Sequence, residues 1–362
     1  MAAAEVEIPR VDALDNWPLP EAQESWFGGP EAERALLDAW RGGRMHHAWL
    51  IGGQKGIGKA TLAYRFARFV LAHPDPRAPE VLQATDLSLP EGHPVARRVA
   101  ARAHPNLLAL ERPYAEKSKK LRTSVTVDEI RRTVPFFGST GGEAGWRVAI
   151  VDPADDMNPN AANALLKVLE EPPARSLFLL VSNAPGRLLP TIRSRCRRLD
   201  LPSLPEATIA TVLREHGEDG PEEDIALASA LADGSLRRAI LLLEENGLAI
   251  YRAFTRLAAS LPGLDVTAMH AFADSVAGRG ADDAWQGFLD LLGDWLGRRV
   301  RHEPEPDPAA AVPAALAAVP LARWAEVWEK ARESAAEAEE LNLDRKQVAL
   351  SILMTLARAT RM

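Results

Sequence analysis

The chain has 362 residues, of which 47% are hydrophobic and 26% are charged, and its formal net charge is −7 at pH 7. This length predicts two or three domains, each large enough to bury its own core. The negative net charge excludes a global basic field that would attract nucleic acid, so any DNA contact has to come from a local patch. One candidate patch consists of Lys117, Lys119, Lys120 and Arg122, which we interpret as a solvated loop.

No apolar run approaches the roughly 20 residues that a membrane helix needs. The N-terminal sequence MAAAEVEIPR has neither a basic start nor an apolar stretch, so we predict no secretory signal and a cytoplasmic location. Cys196 is the single cysteine, which excludes an internal disulfide and a multi-cysteine zinc site. We therefore predict no zinc and no membrane partner.

The first part of the chain has the pattern of a nucleotide-binding module. Residues 1–30 contain several prolines and few periodic apolar positions, which predicts an N-terminal arm. After a short amphipathic helix, HAWLIGG (47–53) predicts a buried parallel strand that ends in a tight turn. KATLAYRFARFVLA (59–72) then has one apolar helical face. Strand, glycine loop and helix is the order that a phosphate-binding loop requires.

Further strands and helices extend this pattern to residue 201. Residues 74–105 are rich in proline and short of regular pattern, which predicts an insertion or a small variable module. Thr126 and Glu129 have the spacing of a capping box and predict a helix start. RVAIVD (147–152) and SLFLLVSN (176–183) predict two more buried strands. Alternating strands and helices predict a parallel sheet with helices on both faces over residues 31–201.

The helix between these two strands has clear signals at both ends. Asn158 is a predicted cap, Pro159 occupies the first helical position, and the prolines at 172–173 end the helix. Beyond Pro202 the sequence has helical periodicity and no strand pattern, with interruptions at 217–224, 260–265 and 302–313. We predict a small helical domain over 202–262 and a larger all-α domain over 263–362.

The stretch GGQKGIGKAT (52–61) nearly matches the P-loop pattern. Gly53, Gly58 and Lys59 have the required spacing, and Gly56 adds a further glycine between them. Such glycines let backbone N–H groups face phosphates, while the lysine and the following helix N-terminus supply positive charge. The loop is therefore a candidate ATP site, although whether ATP binds is left open.

Two groups needed for hydrolysis are missing from this candidate site. Ala60 stands where Ser or Thr would bind magnesium, and Thr61 is a poor substitute because neighbouring helical residues point about 100° apart. Asp152 ends its strand where a P-loop ATPase holds magnesium through water. The next residue, Pro153, cannot accept a proton from the attacking water. We predict solvated or capping roles for the acidic residues at 155–156.

Four segments together resemble the clamp-loader branch of the AAA+ ATPases, whose members are subunits of bacterial DNA polymerase III. They are NAANALLKVLEEPP, the apolar strand after it, LLPTIRSRC and GSLRRA, and the resemblance runs from about residue 27 to about residue 243. It implies an AAA+ module over 31–201, a helical lid over 202–262 and an oligomerisation collar over 263–362.

The resemblance also implies a function. The chain is similar to a non-motor, or stator, subunit that assembles with tau/gamma and delta subunits in a five-subunit complex and has no catalytic activity alone. That complex opens a sliding clamp and places it on primed DNA. Arg195, in Ser194-Arg195-Cys196, matches an arginine finger that acts on the ATP of a neighbouring subunit. Asn183 and Arg237 match the family's first and second sensors.

Other interpretations stay open for these residues. The alternative for Arg195 is a surface arginine in a basic cluster with Arg193, Arg197 and Arg198, and the alternative for the two sensor positions is a merely structural hydrogen bond or salt bridge. Cys196 is interpreted as a small buried hydrophobe. For the whole chain the alternatives are an active motor ATPase resembling tau or gamma, which Ala60 and Pro153 disfavour, and a P-loop phosphotransferase acting on a small molecule.

Overall fold

We analysed a computed structural model of the chain. It describes residues 13–361 apart from 15, 44, 116–119, 139–144, 217–219, 245, 279–280, 311–312, 314–315, 317 and 342. The chain divides into two compact units. The first contains the described residues up to Thr208 together with Gly234–Arg237, and the second contains Ile209–Asp233 and the chain from Arg238 onward. The predicted three-way division at residues 201 and 262 stays a prediction.

The first unit is built on a parallel sheet of five described strands in the order β2-β5-β6-β1-β7. The strands are β1 (Ala48–Gly52), β2 (Leu107–Leu110), β5 (Arg147–Val151), β6 (Ser176–Ser182) and β7 (Arg197–Asp200), and a separate hairpin pairs β3 (Tyr114–Ala115) with β4 (Lys120–Leu121). The three strands predicted from sequence, β1, β5 and β6, lie next to one another in its middle. All residues of β1 and β6 are buried, as expected for strands covered on both faces.

Helices cover both faces of this sheet. They are α1 (Pro30–Arg41), α2 (Lys59–Ala72), α3 (Pro79–Gln83), α4 (Pro94–Ala100), α5 (Val127–Arg131), α6 (Thr133–Gly138), α7 (Pro159–Glu170) and α8 (Pro190–Arg193). Alternate residues of β1 point to opposite faces: Trp49 and Ile51 join the core formed with α1 and α2, while Leu50 joins the core formed with α7. The predicted three-layer α/β architecture is confirmed.

Local signals in the sequence explain where the helices begin. The Asn158 side chain accepts from the N–H of Ala161 at 2.9 Å, and the Thr126 side chain accepts from the N–H of Glu129 at 3.5 Å. Both predicted caps are confirmed. The helix predicted from Thr126 is divided into α5 and α6, with Arg132 between them. Residues 74–105, predicted as an insertion or a small variable module, contain the short helices α3 and α4.

The described end of the N-terminal arm packs on α2. Arg65 of α2 binds the Glu33 carboxylate at 2.8 Å, and both side chains are about one-twelfth exposed. The same guanidinium donates to the carbonyl of Glu24, and Arg68 donates to the carbonyl of Gln23. These charge-assisted bonds tie the backbone that precedes α1 to the helix that follows the phosphate loop. Residues 1–12, the start of the predicted arm, lie outside the described residues.

The second unit is helical throughout its described residues. Two helices begin in the first unit and continue into the second, α9 (Glu206–Glu215) and α11 (Leu236–Glu244). The helices that lie wholly in the second unit are α10 (Glu222–Leu231), α12 (Gly247–Ala259), α13 (Val266–Ala277), α14 (Asp282–Arg301), α15 (Leu321–Glu340) and α16 (Arg345–Ala359). Aromatic side chains dominate its core, where Phe254 packs edge-on against Trp295 and Trp295 against Trp324. The predicted helical C-terminal region is confirmed. None of the described helices combines the length and the apolar character that crossing a membrane would require.

Candidate functional site

The loop between β1 and α2 has the curled backbone of a phosphate-binding loop. Gly53 has φ +141° and Gly56 has φ +81°, conformations that residues with a side chain rarely adopt. Space is also limiting, since a Cβ on Gly53 would lie 2.8 Å from the carbonyl oxygen of Leu201. A Cβ on Gly56 would lie 2.6 Å from Cβ of Arg237 and would also overlap the hydroxyl of Ser235. Glycine is therefore required twice, by φ and by the close approach of neighbouring backbone and side chains.

The loop retains groups that suit a phosphate. Gly58 precedes the first residue of α2, so the amino end of that helix, with its partial positive charge, lies at the loop. Lys59 is 4% exposed, and its Nζ donates to the carbonyl oxygen of Gln54 within the loop. Ala60 and Thr61 are the next residues of α2 and are partly buried. Backbone and lysine thus fit an anion, whereas Ala60 offers magnesium no ligand atom.

An indole covers one side of the loop. A Cβ on Gly58 would lie 3.2 Å from the ring of Trp26, and the Trp26 Nε1 donates to the carbonyl oxygen of Gly29 at 2.6 Å. The arm before α1 therefore contributes an aromatic wall to the candidate site, through a contact 32 residues apart in sequence. The sequence analysis did not assign Trp26 to the site.

The strand register brings the predicted strand-end residues to the same edge of the sheet. Gly52 of β1 is level with Ser182 of β6, and Val151 of β5 is level with Leu180 of β6. The residues that follow these strands, which include Asp152 and Asn183, therefore leave the sheet at its carboxyl edge, beside the loop. Pro153 is buried directly after Asp152. This edge is where ligands bind in open parallel sheets.

Asp155 supports the end of β6. Its carboxylate accepts from the Ser182 hydroxyl at 2.7 Å and from the backbone N–H groups of Asn183 and Ala184. Three donors on one carboxylate fix the backbone from which the Asn183 side chain projects. The capping role predicted for this acidic position is present, and it links Asp152's loop to Asn183.

Arg237 also lies at the loop. Its backbone N–H donates to the carbonyl oxygen of Gly56 at 3.2 Å, and Ser235, which is 3% exposed, lies against the same glycine. Gly234–Arg237 belongs to the first unit together with the loop. The structure therefore brings Arg237, Asn183, Asp152 and the loop to one edge of the sheet.

Arg195 lies toward the opposite edge of the sheet, where the amino ends of the strands are. It precedes β7, whose Arg197 is level with Trp49 near the start of β1, while Asp200 is level with Gly52 at its end. Four residues of strand therefore separate the level of Arg197 from that of Gly53, or about 13 Å at about 3.3 Å per residue. Arg195 is thus placed away from the loop of its own chain.

The arginines around Arg195 have different partners. Arg197 stacks over the ring of Trp49 at 4.8 Å, and Arg198 pairs with Asp200 at 2.6 Å. Arg195 instead pairs with Glu170 at 2.8 Å. Burial raises the pKa of Cys196 to about 12, so its thiol is protonated near neutral pH, in agreement with a packing role.

Among the described residues no group of His, Cys, Asp and Glu is arranged to hold a metal ion. Sequence reasoning missed the contributions of Trp26, Ser235 and Glu170. For Glu170 a signal existed, because an acidic residue at the C-terminal end of a helix opposes the helix dipole and calls for a cationic partner. Nothing in the sequence indicated the other two, because their contacts depend on how distant segments pack.

A glycine-rich loop after an interior strand of a parallel sheet, with an aspartate and an asparagine following two other strands of that sheet, defines a P-loop α/β module. Residues 28–205 match the family model described as "DNA polymerase III, delta subunit". Over these residues the chain is similar to the DNA polymerase III delta' subunits. The resemblance found from sequence is confirmed.

Three curated relatives illustrate this similarity. The delta' subunit of Pseudomonas aeruginosa is 37% identical over 204 residues, covering 56% of this chain and 58% of the relative. The delta' subunit of Escherichia coli is 32% identical over 244 residues, covering 65% and 66%. The gamma subunit of Buchnera aphidicola is 28% identical over 229 residues, covering 62% and 58%. The matches therefore span 58–66% of the lengths of these relatives.

Proposed function

We propose that this chain is a non-motor subunit of the DNA polymerase III clamp loader, which assembles with tau/gamma and delta subunits and supplies Arg195 to the ATP site of a neighbour. The observation that carries the proposal is the position of Arg195 at the amino edge of the sheet, opposite the carboxyl edge where its own loop lies. A guanidinium in that position cannot serve the loop of the same chain. It is free to meet a phosphate bound by another subunit.

The chain's own site supports the same role. Ala60 supplies no magnesium ligand and Pro153 supplies no base, so the site lacks two of the groups that P-loop ATPases use for hydrolysis. The loop backbone and Lys59 still suit a phosphate, so we propose that ATP can bind without turnover. In the neighbour's site, Arg195 would stabilise the charge that develops on the transferred phosphoryl group, an effect of about 10³–10⁵ in rate in other systems.

The remaining parts of the proposal follow from the family. Residues 202–262 would act as the helical lid and residues 263–362 as the collar of a five-subunit, cytoplasmic complex that opens a sliding clamp and places it on primed DNA. The basic patch that begins at Lys117 carries no part of this proposal, because residues 116–119 lie outside the described residues.

One alternative has specific support. The chain is similar to a gamma subunit, and its loop keeps the lysine of an active ATPase, so a motor role predicts ATP hydrolysis by this chain. The test is ATP turnover by the purified chain at saturating MgATP. The stator proposal predicts turnover at the level of a Lys59→Ala variant, which cannot neutralise the phosphates. Turnover well above that variant would establish the motor role instead.

A further inference from the structure

The guanidinium of Arg195 is held between two acceptors from different helices. Its Nη2 lies 2.8 Å from Oε1 of Glu170, the last residue of α7, and its Nη1 donates to the carbonyl oxygen of Thr191 in α8 at 2.9 Å. The side chain of Arg195 is 34% exposed and that of Glu170 is 51% exposed. The arginine is thus oriented at the surface while part of it stays accessible.

We propose that Glu170 is a positioning residue for Arg195, an inference that rests on the proposed function. A guanidinium has five N–H donors, and the two observed bonds leave three for the oxygens of a phosphate on a neighbouring subunit. An arginine that is already oriented when the neighbour arrives loses less freedom on contact. It also needs less rearrangement while charge develops on the phosphate.

The position of Glu170 in its helix supports this role. Carboxylates are unfavourable at the C-terminal end of a helix, where the dipole is negative, so Glu170 does not stabilise α7 by itself. The prolines at 172–173 end the chain's helical path immediately afterwards and hold this carboxylate in the last turn. The ion pair with Arg195 offsets the unfavourable position of the charge.

Glu171 provides a matched control. It is the next residue, it is exposed, and no ion pair of its carboxylate is found in the described part of the chain. Replacing it removes the same charge from the same end of α7 without touching Arg195. A general electrostatic effect of that helix end would therefore affect both positions alike.

The test uses the full chain reconstituted with gamma and delta subunits. The finger arginines of the gamma subunits are replaced by alanine, so that hydrolysis reports on the site facing this chain. Loss of an ion pair as exposed as Glu170–Arg195 typically changes an equilibrium constant by about 1.4- to 5-fold. We therefore expect Glu170→Ala to lower kcat by about 1.4- to 5-fold with the KM for ATP unchanged. Glu170→Gln, which keeps a neutral hydrogen bond, should lie between, and Glu171→Ala should match the wild type.

Two further measurements separate positioning from a structural role. The decrease in kcat caused by Glu170→Ala should become smaller as salt is raised from about 0.05 to about 0.5 M. Salt weakens exposed ion pairs, because the Debye length is about 10 Å at 0.1 M and shortens further as salt is added. The effect of Glu170→Ala should also disappear when Arg195 is already alanine, because Glu170 acts through Arg195. Hydrolysis by these slow variants is measured as phosphate release over hours. An effect of equal size in that background would overturn the inference.

The outcomes also distinguish this inference from the proposed function. If Arg195→Ala leaves hydrolysis unchanged, the proposed function itself is wrong, and the inference fails with it. If Arg195→Ala lowers hydrolysis while Glu170→Ala and Glu171→Ala behave identically, the proposed function stands and only the positioning role is refuted. A lower kcat for Glu170→Ala that is confined to the intact arginine supports both.

Discussion

Replacing Gly56 by alanine tests the contact between the phosphate loop and the segment Gly234–Arg237. The new methyl group would meet Cβ of Arg237 at 2.6 Å and the hydroxyl of Ser235, and φ at this position is +81°. A positive φ costs a residue with a side chain about 1–2 kcal/mol. Overpacking adds about 1–3 kcal/mol. We therefore expect Gly56→Ala to lower the free energy of unfolding of the first unit by about 2–5 kcal/mol.

Gly92 supplies the control for the backbone term. Its φ is +69°, and a Cβ placed there would have nothing within 4 Å, so Gly92→Ala should cost only the backbone term of about 1–2 kcal/mol. The assay is hydrogen exchange of peptides from β1 and β5 across a urea series, which reports on the first unit alone. Equal losses for the two variants would show that the segment does not press on the loop, and the described site geometry would be refuted.

Three other variants test particular interactions. Asp155→Ala should cost about 1–3 kcal/mol, because it leaves the N–H groups at the end of β6 without their acceptor, and exchange of the Asn183 amide should accelerate; unchanged exchange would refute the support role. Glu305 is 3% exposed and pairs with two arginines, so Glu305→Ala should destabilise the second unit by about 3–5 kcal/mol, whereas Glu303→Ala at an exposed pair should leave it unchanged; similar effects in urea unfolding would contradict this. Burial lowers the pKa of His47 below 6.5, so the unfolded state takes up the proton first as pH falls, and the free energy of unfolding should decrease below about pH 6.5. His47→Gln should make the free energy of unfolding depend less steeply on pH between pH 7.5 and 5.5, and an unchanged dependence would contradict this prediction.

The sequence predicted the central part of the fold because buried elements carry strong patterns. β1, β5 and β6 are continuous apolar runs, and α7 has a cap, an N-terminal proline and a proline stop. The strands that were missed, β2 and β7, lie at the two edges of the sheet. Edge strands are short and often charged, and β7 reads Arg-Arg-Leu-Asp, which has no apolar alternation to recognise.

The candidate site was predictable as a set of residues and only partly as a geometry. Lys59 and Asp152 were found from loop spacing and the end of a strand, and Asn183 was found from the family resemblance. The contacts of Trp26 with the loop and of Glu170 with Arg195 join segments 32 and 25 residues apart. The acidic residue at the end of α7 indicates a cationic partner, but no local pattern identifies Arg195 as that partner, and none indicates the contact of Trp26. Such contacts follow from packing, so they were visible only in the structure.

The position of Arg195 also explains why a degenerate site can coexist with a functional chain. Under the proposed function, the candidate phosphate-binding groups at the carboxyl end of the strands and the guanidinium toward the amino end would serve different ATP molecules. Loss of a magnesium ligand at Ala60 affects only the first of them.

The central claim is that this chain supplies Arg195 to a neighbour's ATP. The most direct measurement is single-site ATP hydrolysis by the complex with gamma and delta subunits, comparing Arg195→Ala with Arg198→Ala, which removes a nearby arginine that pairs with Asp200 instead. We predict that Arg195→Ala lowers the rate by about 10³–10⁵-fold, while complex assembly on size-exclusion chromatography and the Arg198→Ala rate stay at the wild-type level. A wild-type rate for a fully assembled Arg195→Ala complex would contradict the claim.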